Sequence, residues 1–303
     1  MIDTRESVTA KLCSFARAYH SNYGRQKIFD DYLAFDMMGK EEYEEIGQLI
    51  QNDFEEERYD PNLDFKGCVV YPAVLKYISP IPLSRAAFAA DKLQEFAGKY
   101  GKCQYVICGA GMDTFAFRNE NPDIEIYELD HPDTQRYKKE KIKELQWIIP
   151  GNVHYVPIDF SRDELVDVLN KAGLNRNIPT FVSILGVTYY LTLPIFSYTV
   201  GQIAGAAKVC EVVFDFPDET TFTDSAAERV RHLSDITAKL GEPMTQGFSV
   251  EEMTDVLKKK GFTDWEHMSP SDIQKRYFLD RKDGQYAFEN IHLLAAGKQP
   301  VSL

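Results

Sequence analysis

A chain of 303 residues, 44% of them hydrophobic, can bury a large core and is expected to form one large domain or one domain with an appendage. Its 47 acidic against 34 basic residues give a formal net charge of −13. That charge argues against nucleic acid and anionic membrane surfaces as partners, because both need Lys and Arg clusters to meet phosphates.

No window approaches the roughly 18–20 unbroken apolar residues of a bilayer span, and the opening "MIDTRESVTAKLC" has acids where a signal peptide would be basic and then apolar. A cytoplasmic chain is expected. Five scattered cysteines without a CxxC pair suggest buried, reduced thiols and neither a disulfide framework nor a zinc site. Of the six histidines, His20, His154, His232, His267 and His292 show no ligand spacing, so no metal site is expected.

In chain order, residues 1–83 are acidic, interrupted by Pro72, Pro80 and Pro82, and helically spaced in "FDDYLAFDMM" and "EEYEEIGQLI". They read as a helical N-terminal appendage. Residues 84–303 then alternate strand and helix signals. "CQYVIC" ends at Gly109, "IEIYEL" at Asp130, "VHYVPI" at Asp159, "TFVSIL" at Gly186 and "AKVCEVVFDF" at Pro217. Such runs suit strands buried on both faces of a parallel sheet.

Ser161–Glu164 and Ser249–Glu252 have the S-x-x-E form of a helix start, and Pro132 and Pro194 suit a first helical turn. The pattern predicts a doubly wound α/β sheet with its chemistry at the carboxyl ends of the strands. "GFTDWEHM" and "YAFENIHLLAAG" read as two closing antiparallel strands joined by a longer loop. Residues 218–247 are long enough for an inserted helix that covers a site.

The glycine turn in "VICGAGMDTFAFR" lacks the third glycine of a dinucleotide loop: Thr114 stands there, and Asp113 would repel a pyrophosphate. A nucleoside with a cationic tail and no phosphates fits better, and S-adenosylmethionine is such a molecule. The next two strands end in acids. Asp130 follows the glycines by about 20 residues, where an acid can accept from ribose hydroxyls. Asp159 with Phe160 suits an adenine amino group and ring face. Either acid could instead cap the helix that follows it, and Tyr189 and Tyr190, at the tip of the fourth strand, could be packing residues.

"RAAFAADKL", "VICGAGMDTFAFR", "YELDHPDTQRYKKEKI", "YVPIDF" and "GVTYYL" together resemble the signature blocks of the leucine carboxyl methyltransferase and polyketide-synthesis O-methyltransferase family. The resemblance implies a Rossmann-like, S-adenosylmethionine-dependent O-methyltransferase whose residues 1–83 form a cap. It implies that Arg85 pairs with the methionine carboxylate and that Gly109, Ala110 and Gly111 let the backbone approach the cofactor. Asp113 would support that loop or the cofactor's polar end, Asp130 would hold the ribose, and Asp159 and Phe160 would frame the adenine; His131, read from its place after Asp130, is a candidate cofactor contact or the start of the helix that follows. Pro132 and Lys138 match the second block, in a site or scaffold role.

The chain departs from the family at Leu185, where an acid usually precedes the glycine. The loss removes a charge-assisted contact to the methionine amino group, of order 1.5–3 kcal/mol if nothing replaces it. Tyr189 and Tyr190 are the acceptor-side candidates. The expected product is a methyl ester on a carboxylate of a small molecule or chain terminus; a hydroxyl acceptor and a non-catalytic protein with a degenerate pocket are the rival readings.

Overall fold

The computed structural model describes residues 8–53 and 72–300. Three N-terminal helices, α1 (Val8–Tyr23), α2 (Ala34–Met38) and α3 (Lys40–Asp53), are followed by a π-helical turn over Val74–Ile78 that runs into the long helix α4 (Pro80–Tyr100). α4 begins ahead of residue 84 and carries Arg85 in its second turn. Phe15, Tyr19, Met38, Ile46, Val74 and Ile78 form a core of their own among these helices.

The sheet then builds by alternation: β1 (Cys103–Cys108), α5 (Phe115–Arg118), β2 (Ile124–Asp130), α6 (Pro132–Glu144), β3 (Val153–Pro157), α7 (Leu165–Lys171), β4 (Thr180–Ile184), α8 (Leu193–Ala206) and β5 (Cys210–Pro217). Helix α9 (Glu228–Lys239) lies in the 218–247 segment, and α10 (Val250–Lys259), β6 (Asp264–Met268), α11 (Pro270–Tyr277) and β7 (Ile291–Lys298) complete the chain. The strand order is β3-β2-β1-β4-β5-β7-β6. β1 to β5 are parallel; β7 runs antiparallel to both β5 and β6. This is the expected doubly wound, Rossmann-like sheet with an antiparallel finish.

Val106, Val182, Val212 and Leu294 pack one face against Leu169, Phe196 and Leu257 from α7, α8 and α10. Tyr105, Phe181, Val213 and Leu293 pack the other against Phe88 and Phe96 of α4 and Ile273 of α11. Chain order reverses between β1 and β4, so the crevice beyond their carboxyl ends is the place where such sheets bind ligands.

Ser249 forms the expected capping box with Glu252. Ser161 does not: α7 begins at Leu165 after Glu164, and the Ser161 N–H and Oγ donate to Asp159 Oδ1 at 3.0 and 2.6 Å. The nearer carboxylate wins the serine for a local turn. The last two strands are joined through α11, capped by Ser269 and Asp272, where a plain loop was expected. Burial pushes the Cys103 thiol up to about 11 and those of Cys108 and Cys210 up to about 12; Cys68 lies outside the described residues. Among the described residues no helix is long and apolar enough to cross a membrane.

Candidate active site

β1 delivers the chain to a tight turn in which Gly109 (φ +74°) and Gly111 (φ +49°) adopt left-handed backbone that side chains other than glycine rarely accept. The Gly109 and Ala110 amides donate to Leu129 O at 2.9 and 3.0 Å, tying the turn to β2. A Cβ on Gly109 would lie 3.2 Å from the Val187 side chain, whereas Gly111 faces open space.

Asp130, at the tip of β2, closes the arrangement. Its Oδ2 accepts from the Gly111 amide at 2.5 Å and its Oδ1 from the His131 amide at 2.7 Å. Burial raises its carboxyl above the ordinary carboxylate range in spite of those donors. Asp113 accepts from the Phe115 amide at 2.6 Å and starts α5. His131 caps α6, its Nδ1 accepting from the Asp133 amide at 3.4 Å.

A cleft of about 260 Å³ opens above this turn, bounded by the ends of β1 and β4, by α1 and α4, and by α9. Gly109, Ala110, Gly111, Asp113, Arg85, Leu185, Tyr189 and Tyr190 all line it. Asp130 instead faces a smaller cavity of about 150 Å³ that meets the first at Gly109 and Gly111. Asp159 and Phe160 line neither. Asp159 is engaged by Ser161, whose hydrogen bonds pull its carboxyl below the ordinary value, and Phe160 is 46% exposed beside it.

Arg85 reaches the cleft from α4 with its Nη1 donating to Asp215 Oδ2 at 3.1 Å. Burial alone would lower its pKa, but the Asp215 charge and hydrogen bond together with Cys13 and Tyr189 more than offset that and hold the guanidinium ionised. Tyr189, 4% exposed, donates its hydroxyl to the same Oδ2 at 2.7 Å. Burial, and then the Asp215 charge, raise its phenol well above the usual range, so it stays neutral. Tyr190 is more open, with its hydroxyl 3.4 Å from Thr9 Oγ1.

Two clusters escaped the sequence reading. The first is Asp215, an acid inside the apolar run "VVFDF", where the mismatch with its neighbours was the available signal. The second fastens the N-terminal helices to the glycine turn. Arg17 of α1 donates to Met112 O at 3.1 Å and to Asp31 Oδ2 at 2.9 Å. Asp31 Oδ1 also takes Thr114 Oγ1 and lies 3.2 Å from Arg118 Nε. Thr114, which stands where the third glycine would be, is therefore tied through Asp31 to Arg17 of α1.

On the far side Glu242 accepts from the Val8 amide at 2.9 Å, and Arg229 of α9 donates to Lys76 O at 3.0 Å. The 218–247 segment is thus bonded to both N-terminal walls of the cleft.

The glycine turn with open space at Gly111, an acid at the tip of β2 and a cleft-lining arginine fit a nucleoside that carries an amino-acid tail. With this strand order they define an S-adenosylmethionine-dependent methyltransferase. The family model described as leucine carboxyl methyltransferase matches residues 10–204, and the chain belongs to that family.

It is 35% identical, over 99% of its length and 100% of the relative's, to the candidate S-adenosyl-L-methionine-dependent methyltransferase YktD of Bacillus subtilis (strain 168). Its fold is similar to that of a candidate methyltransferase from Thermobifida fusca YX, with TM-score 0.58 at 12% identity over 98% of this chain and 97% of that one. A DUF574-family protein from Streptomyces avermitilis is also similar, with TM-score 0.55 at 11% identity over 98% of this chain and 100% of that one.

Asp130→Ala is expected to weaken S-adenosylhomocysteine by about 1–3 kcal/mol, the range for a lost charge-assisted hydrogen bond and a loosened partner. Titration calorimetry checks it; unchanged affinity removes Asp130 from the site.

Proposed function

We propose that the protein methylates a carboxylate oxygen of a small molecule or chain terminus, giving a methyl ester. Arg85 receives the cofactor's carboxylate, Asp113 steadies the loop of Gly109, Ala110 and Gly111, and Asp130 holds the ribose near His131. Asp159 and Phe160, beyond the cleft at the tip of β3, serve the adenine. Leu185 stands beside the methionine end. Residues 1–83 act as a cap and 218–247 as the lid that shapes the acceptor end.

The reading is carried by the titratable groups around the cleft. Among the described residues its lining includes no histidine and no glutamate, and Asp113 is its one carboxylate, already accepting from the Phe115 amide. A hydroxyl acceptor would need a base to take its proton, whereas a carboxylic acid is ionised at neutral pH. Leu185 adds no negative charge to repel an anion. Tyr190 offers a hydroxyl to orient the acceptor, and Leu12, Ile78, Ile81, Leu233, Ile236 and Met244 suit an apolar acceptor body.

Bound S-adenosylmethionine supplies an activated methyl group on a sulfonium. The chain's part is alignment and exclusion of water, which can supply much of the acceleration of such a displacement. Incubation with methyl-labelled cofactor and a panel of apolar carboxylic acids, C-terminal peptides and phenols tests the assignment. Base-labile labelled product is expected; base-stable ether or methylamine product overturns it in favour of a hydroxyl or amine acceptor.

A further inference from the structure

Asp215 is 0% exposed and sits on β5 between Phe214 and Phe216, on the sheet face that α4 covers. A carboxylate taken wholly out of water is costly unless each oxygen is hydrogen-bonded. Here Oδ1 accepts from the Gly186 amide at 2.7 Å, while Oδ2 accepts from Tyr189 at 2.7 Å and from Arg85 Nη1 at 3.1 Å. The three donors come from β4's end, from the turn after it and from α4. All three line the cleft, whereas Asp215 does not.

We propose that Asp215 is the positioning residue for the amino-acid end of the cofactor, orienting Arg85, Gly186 and Tyr189 from behind the cleft. The inference rests on the reading of Arg85 as the partner of the cofactor's carboxylate.

Arg85 commits Nη1 to Asp215, which leaves Nη2, 3.5 Å from Cys13 Sγ, on the cleft side. A guanidinium is a rigid planar fork, so anchoring one nitrogen fixes the direction of the others. Tyr189 has one hydroxyl hydrogen and gives it to Asp215, so toward the cleft the phenol can only accept. That geometry offers a guanidinium edge to an anion and a phenol lone pair to an ammonium, which are the two charges of an amino-acid tail. The anchor therefore selects ligands that carry the tail.

Asp215→Asn keeps the shape but removes the charge that holds the guanidinium and must set its NH2 against one donor set, the Gly186 amide or the Arg85 and Tyr189 pair. Calorimetry should give about 10- to 100-fold weaker S-adenosylhomocysteine, the range for lost charge-assisted hydrogen bonds. 5′-Methylthioadenosine, which lacks the amino-acid tail, should change by less than about threefold, well below that range. In an Arg85→Met background the same substitution should produce much less further discrimination, because only the part that travels through Tyr189 and Gly186 is left. A purely structural aspartate would weaken both ligands alike, and that result overturns the proposal.

If Asp215→Asn does not fold, Asp215→Glu keeps the charge and moves the carboxylate by one methylene; it should show the same selective loss, and retained discrimination overturns the proposal. The wild type separates the two levels of inference. If it binds S-adenosylhomocysteine no more tightly than 5′-methylthioadenosine, the role of Arg85 falls and that of Asp215 with it. If it discriminates and the variant still does, only the role of Asp215 falls.

Discussion

Asp31→Ala is expected to cost about 3–5 kcal/mol of stability, the cost of removing one partner from a buried ion pair, and to take cofactor binding with it. Asp31 is 1% exposed and holds Arg17 at 2.9 Å and Arg118 at 3.2 Å. Its loss leaves two largely buried guanidinium groups facing each other and strips Thr114 of its acceptor. The damage reaches the site because Arg17 also fastens α1 to Met112 O, within the turn that contains Gly111. Urea unfolding measures the first effect and calorimetry with S-adenosylhomocysteine the second. Replacing all three charges together with apolar residues should recover much of the stability but not the fixed position of α1. A loss below about 1 kcal/mol, the worth of an exposed pair, would show that the cluster is solvated and that α1 is held by its apolar contacts alone.

This cluster also marks the limit of what the sequence disclosed. Strands β1 to β5 were legible because each is an apolar run ending in glycine, acid or proline, and burial on both faces of a parallel sheet requires such runs. The glycine turn and Asp130 were legible for a related reason: left-handed backbone demands glycine, and the acid at the next strand tip meets it directly.

Asp31 was not, because it lies in an acid-rich stretch where "FDDYL" offers nothing to separate a buried aspartate from a solvated one; its partners Arg17, Thr114 and Arg118 come from distant parts of the chain. Thr114 was visible only as a missing glycine, an argument about what the loop cannot bind. Ser161 fitted a helix-start pattern, but that pattern is silent on a competing carboxylate two residues earlier. Leu185 pointed to a lost charge, whereas the neighbouring strand carries Asp215 beside Gly186, an adjacency that only strand pairing creates.

Gly186→Ala is expected to remove activity while leaving the sheet folded, at a stability cost of about 3 kcal/mol. Gly186 has φ +72°, a backbone that costs an L-residue about 1–2 kcal/mol. A Cβ there would meet the Arg85 guanidinium at 2.5–2.7 Å, and relieving that overlap adds about 1–3 kcal/mol of overpacking. Arg85 can yield only by leaving Asp215, since the Gly186 amide and Tyr189 hold the carboxylate in place. On the proposed role of Arg85 as partner of the cofactor's carboxylate, the displaced arginine should weaken S-adenosylhomocysteine by about 100-fold, the upper part of the range for charge-assisted hydrogen bonds. 5′-Methylthioadenosine should bind almost as before. Gly98→Ala is the matched control: Gly98 lies in α4 with open space around its added Cβ, and the same change there should stabilise by about 0.5–1 kcal/mol because alanine is the better helix former. If Gly186→Ala retains wild-type affinity for S-adenosylhomocysteine, the close approach of Gly186 to the arginine is not what holds the cofactor's tail.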